Sequence, residues 1–375
     1  MSTIVTSTAI PPVNMAMARP PRDPRDTLAH KLFGDIFSAA ATLATLGIAL
    51  YALRRIIDWG LLNAVWPGSS ADVCRQASGA CWAFLAEKFR LILFGIYPPE
   101  EQWRPIAVCI FIAAMTVYSL SPSHWRRGTA LAWVAGIVGA IALMHGRWLG
   151  LALVPPSAWG GLPVTLLLAV CALGAGFPFA VVLALGRRSD LPVCRFLSVL
   201  VIELIRGLPL ISLLFMASIL LPLLLPAGIT IDSLLRAGVA LTVFSAAYLA
   251  EVVRGGLQAI PPGQMEASRA LGLSWWKMMR LVVLPQALRY VIAPLTNTAI
   301  VMVKNTSLVF IVGLFDLLSA ARAALTDPAW PSPFAETYSF IAAIYFVICS
   351  ACRAMPCGWS GATKEENEHD DTAQH

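Results

Sequence analysis

VTLLLAVCALGAGFPFAVVLAL, residues 164–185, holds no charged side chain in 22 positions. A helix rises about 1.5 Å per residue, and about 20 apolar residues cross the hydrocarbon core of a bilayer. This stretch therefore reads as a membrane-spanning helix. Gly174, Gly176 and Pro178 inside it would let a second helix approach closely or would kink this one, although both residue types are ordinary in membrane helices. Working outward, similar runs occur at 36–53, 105–121, 128–147, 207–226, 233–253, 288–315 and 335–352. The chain of 375 residues is 58% hydrophobic and 13% charged, about half the charge of a soluble domain. A membrane β-barrel would alternate over ~10-residue segments instead. The fold class expected is an all-α integral membrane protein, a polytopic bundle of about eight transmembrane helices embedded in a lipid bilayer.

The net charge of +6 does not point to nucleic acid, because the basic residues gather in short connections, as they do on the cytoplasmic side of membrane proteins. From residue 164 onward one set of connections carries Arg187, Arg188, Arg195, Arg206, Arg269, Lys277, Arg280 and Arg289. The opposite set carries only Arg236 and Arg322, with Asp232, Asp316, Asp327 and Glu336. The first set is expected inside, and counting through eight spans puts both termini in the cytoplasm. Arg54 and Arg55 run against this orientation.

The chain divides into a polar tail (1–35) without the apolar stretch of a cleavable signal peptide, an N-terminal membrane region with a long outer loop (36–160), a five-span unit (163–352), and a polar tail (353–375). In the long loop, FLAEKFRLILFGIY (84–97) is amphipathic and is expected to lie on the membrane surface. The last span keeps only 16 uncharged residues between Glu336 and Arg353, short for a crossing, and a disordered tail is expected after it. Of eight cysteines, Cys109 and Cys171 read as packing residues. Cys74 and Cys81 lie in the outer loop, where a bridge or two thiols are both open. Cys349 and Cys352 have no second pair to complete a metal site, and the five histidines are scattered.

One segment between two spans is neither short nor apolar: MEASRALGLSWWKMMRLVVLP, residues 265–285. The prolines and glycine of QAIPPGQ (258–264) end the preceding helix. Two helical turns can follow to Leu271, and Gly272 fits a left-handed stop. Ser274 can cap a second helix from Trp275, and Pro285 closes or re-aims it. The expected form is helix, sharp turn, helix. Ala267, Ala270 and Leu271 make a small apolar patch suited to close docking. The alternative is an interfacial helix held by Trp275, Trp276, Met278 and Met279 in the headgroup layer, and the residues alone do not decide between the two.

This segment resembles the EAA loop of ABC-transporter permease subunits, with Glu266, Ala267, Ser268, Gly272, Val282, Leu284 and Pro285 in register and mild departures at Ser268 and Val282. IELIRGLPLI (202–211), YLAEVVRGGLQAIPPGQMEA (248–267) and VKNTSL (303–308) resemble the polar-amino-acid branch of that family. The likeness covers about half the chain, and the extra N-terminal spans look like the M-type subunit of general L-amino-acid permeases. The resemblance implies a five-helix type I importer core at 163–352 and an EAA loop at about 258–285. It also implies import of amino acids across the inner membrane, with Glu266, Ala267, Ser268, Gly272, Leu284 and Pro285 contacting an ATPase. The implied partners are a cytoplasmic ATPase dimer, a sister permease subunit and a periplasmic amino-acid-binding protein. ATP with Mg would act only through the partner ATPase, with no cofactor held by this chain.

Other polar residues sit within or beside spans, where a charge costs ~2.5–3.5 kcal/mol at mid-bilayer. Lys304, Asn305, Thr306 and Ser307 are expected either to line a translocation path or gate, or to hydrogen-bond between helices. Glu203 with Arg206, and Glu251 with Arg254, are i,i+3 pairs that either hold helix ends together or gate. A Walker A loop needs Gly-Lys, and the chain has no such dipeptide, so any ATP hydrolysis belongs to another subunit. A self-sufficient secondary transporter would show repeated halves and intramembrane carboxylates. An intramembrane enzyme would show an acid–base cluster or Gly-x-Ser-x-Gly. Neither set of features is present.

Overall fold

The computed structural model describes residues 32–119, 121, 124, 126–226, 228 and 230–372, with side chains up to residue 353 apart from Leu149. Most of the expected N-terminal tail lies outside the described residues. The described residues form two compact units, residues 32–64 with 78–80, and residues 65–77 with those from 81 onward.

In the first unit, helix α1 (Ile36–Ile57) widens into one π turn over Asp58–Leu62. None of its side chains is buried, and apolar groups point outward on every side, among them Phe37, Leu43, Leu50 and Ile56. Such a helix belongs in lipid. Arg54 lies 3.9 Å from Asp58, a local pair that tempers the charge at this end.

The second unit begins with α2 (Ala71–Gln76), α3 (Trp82–Phe94), α4 (Trp103–Tyr118) and α5 (Arg127–His145). Then come α6 (Gly161–Arg187), α7 (Pro192–Gly207), α8 (Leu210–Leu224) and α9 (Ser233–Ala259). Helix α10 (Pro262–Ala270) is followed by α11 (residues 275–290, with a π turn at Met279–Val283). Last are α12 (Ile292–Asn305), which tightens to a 3-10 helix over Thr306–Val312, α13 (Leu317–Leu325) and α14 (Phe334–Thr372).

Six of these helices are long and apolar enough to span a membrane, or up to seven if the bent pair α7 and α8 is one span. Among the described residues the expected count of about eight is not reached. The run at 105–121 becomes α4, a helix of 16 residues, about 24 Å at the ordinary rise and short of the bilayer core. The span expected at 207–226 is the second half of a helix pair bent by 104°. Pro209 causes the break: it pushes Leu208 into extended backbone (φ −95°, ψ 137°), as proline does to the residue before it. Beyond Arg353 the backbone of α14 stays helical to Thr372, where disorder was expected.

The centre of this unit is the parallel pair α6 and α9, which meet from Leu168 beside Gly238 to Arg188 beside Leu257. Ala169, Ala172, Gly176, Ala180 and Ala184 recur every three to four residues on α6, and all are buried. A side chain at Gly176 would meet Ser245 Cβ and the Thr242 carbonyl oxygen, each at 3.1 Å. Lipid tails are as apolar as leucine, so close backbone approach over small residues, rather than water exclusion, holds such a pair. Gly174, the other glycine suited to close approach, faces open space.

Three apolar clusters run along the unit. The middle one gathers Leu167, Leu168, Leu241 and Phe244 with Val108, Ile112 and Met144 from α4 and α5. A second, at the end where α10 and α11 lie, joins Ala180, Ile202, Val253, Leu257, Met278, Met279 and Val283. The third, at the opposite end, joins Phe84 and Ile92 of α3 to Leu317, Ala321 and Leu325 of α13. Helix α3 therefore buries its apolar face in protein, with Phe84 and Ile92 fully covered, instead of resting it on the membrane surface.

Candidate functional site

The segment 262–290 folds as helix, turn, helix. The turn is a Schellman closure: Gly272 N–H donates to the Arg269 carbonyl at 2.9 Å and Leu273 N–H to the Ser268 carbonyl at 3.1 Å. These are the two bonds that define the motif, with glycine at the left-handed position. Gly272 has φ +74° and nothing within 4 Å of where a Cβ would stand. Backbone conformation, not crowding, is what calls for glycine there. Ser274 occupies the cap position of α11 in extended backbone, but its side chain makes no capping hydrogen bond. The expected hydroxyl cap is replaced by its carbonyl alone, which accepts Met278 N–H at 2.9 Å.

Glu266, Ala267, Arg269, Ala270 and Leu271 are exposed, and Leu271 keeps 80% of its surface. Ser268, grouped with them by sequence, is 3% exposed and donates to the Gln264 carbonyl at 2.7 Å, so it faces inward. Leu284 is half-buried and Pro285 exposed. Met278, Met279 and Val283 are seated in the second apolar cluster, so the methionines root the elbow in the protein instead of in the headgroup layer, while Trp276 remains 72% exposed. Behind it, a side chain at Gly256 would stand 2.5 Å from the Ala287 carbonyl oxygen, so α9 and α11 touch along their backbones. The result is an exposed apolar-edged tip on a rigidly rooted base.

Beside this base lies an ion cluster centred on Glu251, whose side chain is 15% exposed. Arg187 Nη1 donates to Glu251 and to Glu203, each at 2.8 Å. Arg254 lies 2.9 Å and Arg206 3.6 Å from the other Glu251 oxygen, and the Arg206 guanidinium also stands over the Tyr248 ring. The Glu251–Arg254 pair is thus the local one read from sequence, whereas Glu203 takes Arg187. Three guanidinium groups meet two carboxylates, joining the ends of α6, α7 and α9. Arg188 adds a bond from Nη1 to the Leu257 carbonyl at 2.7 Å. Arg187, read from sequence only as an anchor charge, is the cross-link of this cluster. The available signal was its place at the end of an uncharged span, opposite the ends that carry Glu203 and Glu251.

Lys304, Asn305, Thr306 and Ser307 mark the change from α12 to 3-10 helix. The Thr306 and Ser307 hydroxyls donate to the Val303 and Lys304 carbonyls at 2.7 and 2.8 Å, bonds within their own helix. Lys304 is exposed. Among the described residues no group of three His, Cys, Asp or Glu could hold a metal ion.

At the opposite end sequence reasoning missed more. Asp316 is fully buried and caps α13, accepting Ser319 N–H at 3.1 Å and Leu318 N–H at 3.2 Å. Burial pushes its carboxyl above the usual range, opposed by these bonds. An Asp ahead of an apolar run, with Ser three residues on, was the legible cap signal. Cys74 and Cys81 form a disulfide. Glu336 is buried and accepts Cys81 N–H at 2.7 Å.

The family described as a binding-protein-dependent transport system inner membrane component matches residues 172–354. The inner membrane amino-acid ABC transporter permease protein YhdY of Escherichia coli (strain K12) is 43% identical, over 85% of this chain and 87% of that protein. The glutamate/glutamine/aspartate/asparagine transport system permease protein BztC of Rhodobacter capsulatus is 34% identical, over 85% of this chain and 88% of its own length. A third relative, the probable glutamine ABC transporter permease protein GlnP of Bacillus subtilis, is 34% identical, over 51% of this chain and 86% of its own length.

Proposed function

We propose that this chain, which belongs to the binding-protein-dependent transport system inner membrane component family, is the permease subunit of an ABC importer that moves amino acids, driven by ATP hydrolysed in a separate subunit. The observation that carries the mechanism is the elbow itself. Its tip presents Glu266, Ala267, Ala270 and Leu271, and its base shares a core with α6, α7 and α9. A displacement applied at the tip reaches the spans without deforming the base, as rigid-body alternation of access requires. In this reading the elbow lies in the cytoplasm against the ATPase dimer, and Gly272 fixes the turn that carries the contact. Glu266 and Ala267 make the contact with Ala270 and Leu271, while Ser268 supports it from within.

The translocation path is assigned to the face carrying Lys304. It is the thirteenth residue of the 21-residue span Ile292–Val312, and an ammonium facing lipid at that depth costs ~2.5–3.5 kcal/mol. A water-filled path, or a sister permease across it, removes that cost. The Glu251 cluster sits where the inner end of such a path would close, and Glu203, Arg206 and Arg254 are its gate residues. A binding protein on the far side supplies the amino acid.

The test is co-purification with the neighbouring gene products, followed by uptake of labelled amino acids into vesicles loaded with ATP. ATP-dependent uptake that needs both the ATPase and this chain is the expected result. Uptake by this chain alone in pure liposomes would contradict it.

A further inference from the structure

The residues that grip the end of the protein opposite the elbow come from a region ahead of the family-matched stretch. The turn 326–333 joins α13 to α14, and residues 65–77 and 81–97 hold it from several directions. Arg75 donates to the Ala329 carbonyl at 2.6 Å and the Pro328 carbonyl at 3.3 Å. Lys88 pairs with Asp327 at 2.6 Å. The fully buried Phe84 sets its ring edge-on to Trp330, with centroids 5.6 Å apart. The Cys74–Cys81 bridge ties α2 to the start of α3, and at Cys81 the backbone N–H meets the buried Glu336 carboxylate.

Glu336 stands in the first turn of α14. That helix has only 16 uncharged residues before Arg353, too few to fix its own depth by hydrophobic matching, since sliding costs only fractions of a kcal/mol per Å. A short span flanked by charges needs another constraint, and the bonds at Glu336, Asp327 and Ala329 provide one.

We propose that residues 65–77 and 81–97 are a clamp that sets the depth of the last membrane helix, with Arg75, Lys88 and the Cys74–Cys81 bridge as its positioning groups. The clamp gives the Glu336 carboxylate a backbone hydrogen-bond donor and fixes the turn ahead of α14 at three further points. Helix α14 then starts at a depth dictated by protein contacts and not by its own length. The clamp extends the permease reading, but its readout is labelling, not uptake, so it stands or falls apart from that reading.

The experiment uses the full chain in its complex, in vesicles, with cysteines other than 74 and 81 changed to serine. Single cysteines are placed at Phe334, Tyr338 and Phe346, which are exposed on α14, and are treated with a membrane-impermeant maleimide. The boundary between labelled and protected positions marks the depth. Arg75→Ala with Lys88→Met, and Cys74→Ser with Cys81→Ser, should each shift that boundary by about one helical turn. A cysteine at Leu235 on α9 should keep its labelling. Joining Lys88→Cys to Asp327→Cys with a short bis-maleimide, in the Arg75→Ala background, should restore the original boundary. An unchanged boundary in both clamp variants would overturn the proposal, as would failure of the cross-link to restore it or an equal shift at Leu235.

Discussion

The two ends of the second unit are held by different chemistry. At the elbow end, three guanidinium groups and two carboxylates join α6, α7 and α9, and the elbow projects with its tip uncovered. At the other end a disulfide ties α2 to the start of α3, a buried aspartate caps α13, and a buried glutamate joins the start of α14 to Cys81. Ion pairs among long side chains can exchange partners and rearrange with modest barriers. A disulfide and buried caps cannot. The contrast assigns motion to the elbow end and anchorage to the disulfide end.

The sharpest way to break that contrast is to remove its central charge. Glu251→Gln leaves Arg187, Arg206 and Arg254 facing one another with a single exposed carboxylate. Losing the largely buried partner should cost about 3 kcal/mol and should lower uptake more than tenfold. Thermal unfolding of the purified complex, read beside uptake, checks both. A near-wild-type Glu251→Gln would mean that the cluster holds nothing.

The disulfide comes next. Closing so short a loop is worth about 2.5 kcal/mol in the chain-entropy account. Reductant or Cys74→Ser should therefore speed amide exchange in α13 while leaving α9 near Glu251 unchanged. Equal acceleration at both ends would erase the distinction drawn above. Gly272→Val follows, a β-branched residue forced to φ +74° at a cost of about 2 kcal/mol. Because nothing crowds the site, insertion should be normal while uptake falls several-fold relative to ATP turnover. Normal coupling in this variant would show that the turn is not a mechanical element.

The smallest effects are in pH. The Lys88 ammonium holds the Asp327 carboxyl below the usual range. Its contribution is complete above the unfolded value of about 3.9 and is lost as pH falls through the lower folded value. Asp327→Asn should melt below wild type at pH 7 and converge with it in acid. Burial raises Asp316, so its contribution is complete below the unfolded value and is lost as pH rises through the higher folded one. Asp316→Asn, which retains a capping oxygen, should match or exceed wild type at pH 7. Melting temperatures across pH 3–8 decide both.

Much of this was legible in the sequence. Uncharged runs of bilayer length announced the bundle, because hydrophobic matching is a property of single segments. Gly272 and the prolines announced the elbow, because turns are local. What escaped were pairings that depend on helices meeting. Arg187 finds Glu203 and Glu251 across 16 and 64 residues of chain, and Glu336 meets Cys81 across 255. No periodicity encodes such distances. Helix α3 was misplaced for a related reason: an amphipathic face looks the same whether lipid or another helix covers it, and only the fold shows that α13 does. The depth of Ser268 follows from its rotation on a helix of nine residues, too short for its pattern to declare an inner face.

In the proposed coupling a rooted elbow carries force from a separate motor. The direct measurement is a cysteine at Ala267, on the exposed tip, cross-linked in the assembled complex with and without nucleotide. A cross-linked product with the ATPase subunit, its yield changing on ATP binding, is expected, while a cysteine at the inward-facing Ser268 should give little. No product at Ala267 in a complex that still takes up amino acids would contradict it.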